Sequence, residues 1–319
     1  MKAAIVKAPN SAPVYGDFAE PVARDGLIVV DVKASAMSNL TKARAAGAHY
    51  SSDGQFPVIA GIDGVGVTAQ GQRVYFARPE APFGALAERA LVDARRCITL
   101  PDGLDDATAA AIAIPGMSSW AALTERARFQ AGQTVLINGA TGASGRLAVQ
   151  IAKHLGARRV IATGRHATAL ESLKRLGADT TIALEPDEAS LIRAFAPVFH
   201  EGVDVALDYL WGTSARVLLI AAARASAQPV CFVQIGSISG DEIALPGAVL
   251  RAAPITLLGS GIGSISLPRL CAAVQGVFQA AAPARLEIAT QAVPLSALAE
   301  HWTNARGEVR TVFTIGSGQ

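Results

Sequence analysis

The sequence is short of cysteine, aromatic rings, charge and unbroken apolar runs, and each shortage excludes something. Three cysteines, Cys97, Cys231 and Cys271, occur in 319 residues. They are odd in number and far apart, so they form neither a disulfide framework nor a Cys-x-x-Cys zinc pair. As free thiols they suit a reducing compartment. Aromatic residues make up 5%, and no basic run accompanies the net charge of +2. A nucleic-acid protein needs a basic patch for the phosphates and often rings for stacking, so that class is excluded. Charged residues reach 17% against 51% hydrophobic, where about a quarter charged is usual. Such a composition would suit a membrane protein, yet no span is present. The uncharged stretch 107–124 contains Pro115, Gly116, Ser118 and Ser119, and 252–268 contains Pro254, Gly259, Gly261 and Gly263. Neither supplies the roughly 20 apolar residues that cross a bilayer. Met1 to Lys7 lack the apolar core of a signal peptide. The expectation is a cytoplasmic protein without membrane or nucleic-acid partners and with much apolar surface to bury.

What is present falls into three stretches. Residues 1–115 carry short strand-like runs at 3–6, 27–32, 65–69, 73–76 and 86–92, separated by Pro9, Pro21, Gly26, Pro57, Gly61, Gly64 and Gly71. That pattern predicts an antiparallel barrel or sandwich. Residues 116–258 alternate instead. Compact strands at 134–137, 160–163, 181–182, 203–207, 230–235 and 255–258 are interleaved with helical spacing at 147–155, 167–176, 188–195 and 214–225. Six strands alternating with helices predict an α/β fold, a doubly wound parallel sheet covered on both faces. Residues 259–319 break the alternation, with helices at 267–281 and 294–305 and strands at 286–289 and 309–315. They are expected to return and complete the first domain.

The sharpest local signal is Asn138-Gly139-Ala140-Thr141-Gly142-Ala143-Ser144-Gly145, which follows a strand and opens an amphipathic helix. That context makes a glycine pattern a dinucleotide site. Glycines allow a tight turn, backbone amides approach a pyrophosphate, and the positive helix end faces the phosphate charge. At the end of the next strand, Thr163-Gly164-Arg165-His166 offers no acid for the ribose of NAD. A basic residue there accommodates the 2′-phosphate of NADP, and Arg165 has the planar fork for it, with His166 beside it.

Several further segments join this turn into one pattern. They are Ala148 to Lys153, Leu155-Gly156-Ala157, Leu176 to Asp179 and Gly202 to Asp208; in the first stretch, Gly61 to Gly66, Gly71 to Val74 and Phe83 to Glu88. Together they resemble the medium-chain dehydrogenase/reductase superfamily, in its zinc-independent quinone oxidoreductase group, over nearly the whole chain. The resemblance implies a GroES-like β-barrel catalytic domain (1–115 and 259–319) around an inserted Rossmann domain (116–258). It also implies NADPH as hydride donor and a homodimer. Ser118, at a position that is usually Thr, is expected to hydrogen-bond the cofactor, Asp208 to orient a loop near it, Gly236 and Ser237 after the fifth strand to lie near the nicotinamide ribose, and Gly259 and Ser260 to line the nicotinamide pocket.

Zinc members of the superfamily hold the metal with Cys and His in the first domain, where this chain has Ser38 and Ile62. Serine is a poor zinc ligand and isoleucine none, so no metal is expected. Without a Lewis acid the fitting acceptors carry their own electron-withdrawing group, namely a quinone or an α,β-unsaturated carbonyl. Hydride transfer leaves charge on the substrate oxygen, which a donor must stabilise. The resemblance points to Ser38, Asn39 and Thr41 and to Tyr50, a position that is commonly aromatic and faces the substrate. The alternative is an NADP-binding structural or redox-sensing protein without turnover.

Overall fold

Short apolar runs broken by glycine and proline become short strands. The computed structural model describes residues 1–47, 55–303 and 309–316. The first part holds β1 (Lys2–Val6), β2 (Val14–Asp17), β3 (Leu27–Ala36), helix α1 (Asn39–Ala45), β4 (Val58–Ile59), β5 (Asp63–Thr68), β6 (Arg73–Ala77), β7 (Arg89–Asp93) and β8 (Cys97–Thr99). Helix α2 (Asp106–Ala121) follows. The alternating part holds β9 (Thr134–Asn138), α3 (Ala143–His154), β10 (Arg159–Gly164), α4 (Ala167–Arg175), β11 (Thr180–Ala183), α5 (Glu188–Glu201), β12 (Val205–Asp208), α6 (Gly212–Ala225), β13 (Val230–Gln234), α7 (Val249–Ala252), β14 (Ile255–Gly259) and α8 (Leu267–Ala281). The tail adds β15 (Thr290–Pro294), α9 (Leu298–His301) and β16 (Arg310–Thr314). None of the described helices is long and apolar enough to cross a membrane.

The chain divides into two units, Met1–Ile114 with Ile288–Gln319, and Pro115–Glu287. In the first, β1 pairs with β2 and β4, while a larger sheet runs β15-β16-β3-β5-β6-β8 with β7 on β3. The tail is part of the core: Leu295, Leu298, Trp302, Phe313 and Ile315 are buried with Val30, Val32, Phe76 and Leu86. Each such side chain contributes about 1.5–3 kcal/mol, a large share of the stability of a small unit.

The second unit is one parallel sheet in the order β11-β10-β9-β12-β13-β14, the doubly wound Rossmann order that reverses beside its first strand. Buried on both faces, β9 is apolar from Val135 to Ile137. On one face the core joins Leu136, Ile161, Ala206 and Phe232 to Phe195 and Phe199 of α5 and Leu218 of α6.

The tail returns later than residue 259. β14 completes the parallel sheet, and α8 packs inside the second unit because small residues let it approach. A Cβ on Gly276 would stand 2.5 Å from the Trp120 ring, and one on Gly116 2.7 Å from Val277. The Gln150 amide then bonds both the N–H and the C=O of Glu287, at 2.7 and 3.0 Å, so the unit is pinned up to its last residue. One further expectation differs, and one stretch that carried no expectation is helical. The strand expected at 286–289 forms at Thr290–Pro294, where it can pair with β16. The stretch 107–124 is helical despite Pro115, because Ala109 to Ala113 pack fully buried.

Asp63 is the notable buried charge of the first unit, 2% exposed on β5. Burial pushes its carboxyl up to about 7, although the Arg310 charge and the Tyr75 hydroxyl pull it down. The folded state therefore holds a proton where the unfolded chain has released it. The stabilisation is full below the ordinary carboxylate value and is lost as pH rises through about 7. Urea midpoints should fall between pH 5 and 8, and Asp63→Asn should flatten that slope; an unchanged slope in the variant would contradict this assignment.

Candidate active site

In a parallel sheet all strands end on one side, and a site forms where the strand order reverses. Here that point lies at the ends of β9 and β12, which pair Asn138 with Asp208. Beyond β9 the chain turns through Gly139, whose φ is +85°. Ala140 is buried, and its N–H donates to Thr163 O at 2.8 Å. Thr141 lies against Gly164, where a Cβ would stand 2.4 Å from the threonine methyl. Gly142 caps α3 without any side-chain hydrogen bond, so the first-turn amides of Ala143, Ser144 and Gly145 have no side-chain cap.

The two later glycines of this turn differ in kind. A Cβ on Gly145 would lie 2.4 Å from Gly139 O and 2.5 Å from Ala140 Cα, so glycine is needed for the fold itself. Gly142 has φ −75°, and a Cβ there meets nothing within 4 Å. No contact among the described residues explains a glycine at that place, yet it faces open space at a helix N-terminus, where a phosphate would approach.

A buried polar chain holds the turn. Thr163 Oγ1 accepts from Gly139 N–H at 3.1 Å and donates to Asn138 Oδ1 at 2.7 Å. Asn138 Nδ2 donates to Asp208 Oδ1 at 2.8 Å and to Ser214 Oγ at 2.9 Å. Asp208 also accepts from Leu210 N–H at 3.1 Å and Trp211 N–H at 3.0 Å. Its carboxyl is fully buried, which raises it to about 6 against those three donors. Asp208, expected to orient a loop near the cofactor, has both carboxylate oxygens occupied by hydrogen bonds within the protein.

The other expected cofactor residues lie along the same strand ends. Arg165 and His166 are exposed between β10 and α4, and α4 has no side-chain cap. Gly236 follows β13, with room for no Cβ because Tyr209 O would be 2.7 Å away. Ser237 Oγ donates to Asp241 at 3.1 Å. Gly259 ends β14 and accepts from Arg126 at 2.7 Å, and Ser260 N–H donates to Gln234 O at 2.8 Å. Ser118, in α2, donates to Pro115 O at 2.7 Å and lies 3.5 Å from the Tyr209 hydroxyl.

In the first unit, Ser38 is the N-cap of α1. Its Oγ accepts from Thr41 N–H at 2.9 Å and lies 2.9 Å from Thr41 Oγ1. Both are buried, while Asn39 is exposed. Thr41 and Ile62 line one pocket. Tyr50 lies outside the described residues.

Comparison with known proteins agrees with this arrangement. Residues 143–276 match the family described as zinc-binding dehydrogenase. A probable NADPH-dependent quinone reductase of Emericella nidulans is 28% identical, covering 95% of this chain and 96% of that one. The 2-methylene-furan-3-one reductase of Solanum lycopersicum is 31% identical over 52% of this chain and 47% of its own. The native structure of a mycobacterial quinone oxidoreductase superposes with a TM-score of 0.84 at 20% identity, covering 98% and 99% of the two chains. The chain is thus similar over nearly its whole length to a quinone reductase, and over residues 143–276 to the zinc-binding dehydrogenase family.

Zinc does not fit the first-unit residues that the resemblance matches to its ligands. The stretch matching the zinc-named family lies wholly in the second unit. In the first unit Ser38 spends its oxygen on the α1 cap, and Ile62 has no donor atom. Among the described residues no three His, Cys, Asp or Glu side chains cluster as a metal site. The Asn138–Thr163 pair is the part that sequence reasoning missed. The available signal was a polar residue closing each of two apolar strands.

Two substitutions separate fold from ligand. Gly145→Ala should lower Tm sharply, since overpacking costs about 1–3 kcal/mol. Gly142→Ala should lose no more than the ~1 kcal/mol of an N-cap change, yet weaken NADPH at least tenfold in a fluorescence titration. Undiminished NADPH binding by the Gly142 variant would contradict the reading of the open space.

Proposed function

We propose that the protein is an NADPH-dependent oxidoreductase that reduces a quinone, or the activated C=C of an enone, without zinc. The observation that carries this reading is Gly142, a glycine with open space before it at an uncapped helix N-terminus on the strand-order reversal. The names of the quinone and furanone reductase relatives support the acceptor class. NADPH, when bound, supplies the hydride; with one proton the quinone becomes a hydroquinone, or the enone a saturated carbonyl.

The roles of the chain's own residues follow. Gly139 to Gly145 present backbone amides to the pyrophosphate. Gly164 leaves room beside Thr141, and Arg165, with His166 and the uncapped start of α4, takes the 2′-phosphate. Gly236, Ser237, Gly259, Ser260 and Ser118 border the nicotinamide end. Tyr50 donates a hydrogen bond to the substrate oxygen as charge develops. Ser38 acts through Thr41, whose position in the first turn of α1 it fixes, and Asn39 serves the same turn from the solvent side. A second copy of the chain is the proposed partner. Strand β14 is the sheet's edge and leaves Leu257 37% exposed. The protein works in the cytoplasm.

NADPH oxidation against quinones, alkenals and cyclic enones, with metal content measured on the same sample, tests the reading; saturable NADPH binding without oxidation by any acceptor would reduce the protein to a binding module. Arg165→Ala should weaken NADPH by roughly ten- to a hundredfold, the worth of a charge-assisted contact, and leave NADH nearly unchanged. Equal losses for both cofactors remove Arg165 from the phosphate. Tyr50→Phe should lower turnover while NADPH affinity holds, and unaltered kinetics across several acceptors would leave Tyr50 a packing residue.

A further inference from the structure

The pocket lined by Thr41 and Ile62 also has Gln55, Phe56, Ile59 and Phe83 in its lining. It is a shallow depression of about 80 Å³ that opens to solvent, so only part of a ligand would be enclosed by it. Two arginines reach it, Arg44 and Arg78. Arg44 already has a partner. The Arg78 guanidinium has no hydrogen bond or ion pair with the described residues. Only its backbone is bound: its N–H donates to Ile62 O at 2.6 Å, and its C=O accepts from Arg96 at 2.9 Å. Glu80, the acid two residues on, is held by that same Arg96 at 2.8 Å and so does not neutralise Arg78.

The backbone at Arg78 favours a different residue. Its φ is +51°, a conformation that glycine adopts freely and that costs other residues on the order of 1 kcal/mol or more. The two backbone hydrogen bonds hold the main chain there whatever the side chain is. Arginine thus stands at a glycine-like position, exposed at the rim of a pocket of mixed polar and apolar lining, with its charge uncompensated by the described residues. A planar fork at the rim of a partly apolar pocket matches a carboxylate attached to a ring or chain.

We infer that this pocket selects a substrate bearing a carboxylate, gripped by the Arg78 guanidinium while the apolar part lies on Phe56, Ile59 and Phe83. For the reaction, though not for binding, this rests on the reductase reading above. The two are separated by measuring binding and turnover apart. Arg78→Gly removes the guanidinium and suits the backbone, so its Tm should not fall below that of the parent protein.

Binding is read by calorimetry with 2-naphthoate and its methyl ester. Turnover is read with a 1,4-naphthoquinone bearing a propionate side chain and with its methyl ester, which share one redox centre. The parent protein should prefer each acid over its ester. In Arg78→Gly, naphthoate affinity and the acid-to-ester ratio of kcat/KM should each fall at least tenfold, with the ester value within twofold of the parent. Equal naphthoate binding by both proteins, or an unchanged acid-to-ester ratio, overturns the proposal. Arg78-dependent naphthoate binding with no NADPH oxidation by either quinone supports the pocket and overturns the reductase reading instead.

Discussion

Asn138 carries the second unit's working edge. Its side-chain amide lies between the Thr163 hydroxyl and the Asp208 carboxylate, tying together the ends of three neighbouring parallel strands. Everything local hangs from that chain. Thr163 receives the Gly139 amide as the turn begins. Asp208 receives the Leu210 and Trp211 amides and so holds Trp211 at φ 58°, ψ −151°, a region otherwise reserved for glycine. Each member satisfies a buried group that would cost about 1–3 kcal/mol if left alone. The network thus couples the turn after β9 to the loop after β12 across the point where the strand order reverses.

The two units make opposite uses of polar atoms. In the second, buried polar side chains are consumed in the network, and the backbone amides at the start of α3 are left without a side-chain cap. In the first, the Ser38 hydroxyl is consumed by the α1 cap, and Ile62, which the resemblance matches to a ligand position of zinc members, has no donor atom. That replacement changes which substrates make chemical sense. A carbonyl that relies on a Lewis acid for polarisation loses its activator, whereas a quinone or enone brings its own.

Much of this was legible from local pattern. The strand beginning at Thr134, the glycine turn and the helix after it depend on neighbours in sequence, and so does the alternation that yields a parallel sheet. Strands β2, β4 and β8 were missed because they are two to four residues long and β2 is largely exposed. Helix α2 was hidden by Pro115, Gly116 and two serines, although both serine hydroxyls bond back to carbonyls one turn earlier. The late return of the tail depended on Gly276 meeting Trp120, a contact between distant segments. The same holds for the site. Gly145 announced itself, but the Asn138–Asp208 bond spans 70 residues, and Arg78 gains meaning only when 41–62 and 78–83 are brought to one pocket.

The order in which the chain leaves the ribosome has its own effect here. The second unit is continuous, Pro115–Glu287, and every strand of its sheet is available once that stretch has emerged. The first unit is not: Phe313 and Ile315 are made after the insertion, yet they are buried beside Val30 and Val32. Its N-terminal strands must wait, partly cored, while the insertion is synthesised. Folding of the insertion shortens the effective loop that the late strands must close, and loop closure grows easier as that length falls. The nucleotide-type unit therefore serves as a folding clasp for the unit that encloses it in sequence. Domain-by-domain folding during synthesis runs from the middle of this chain outwards.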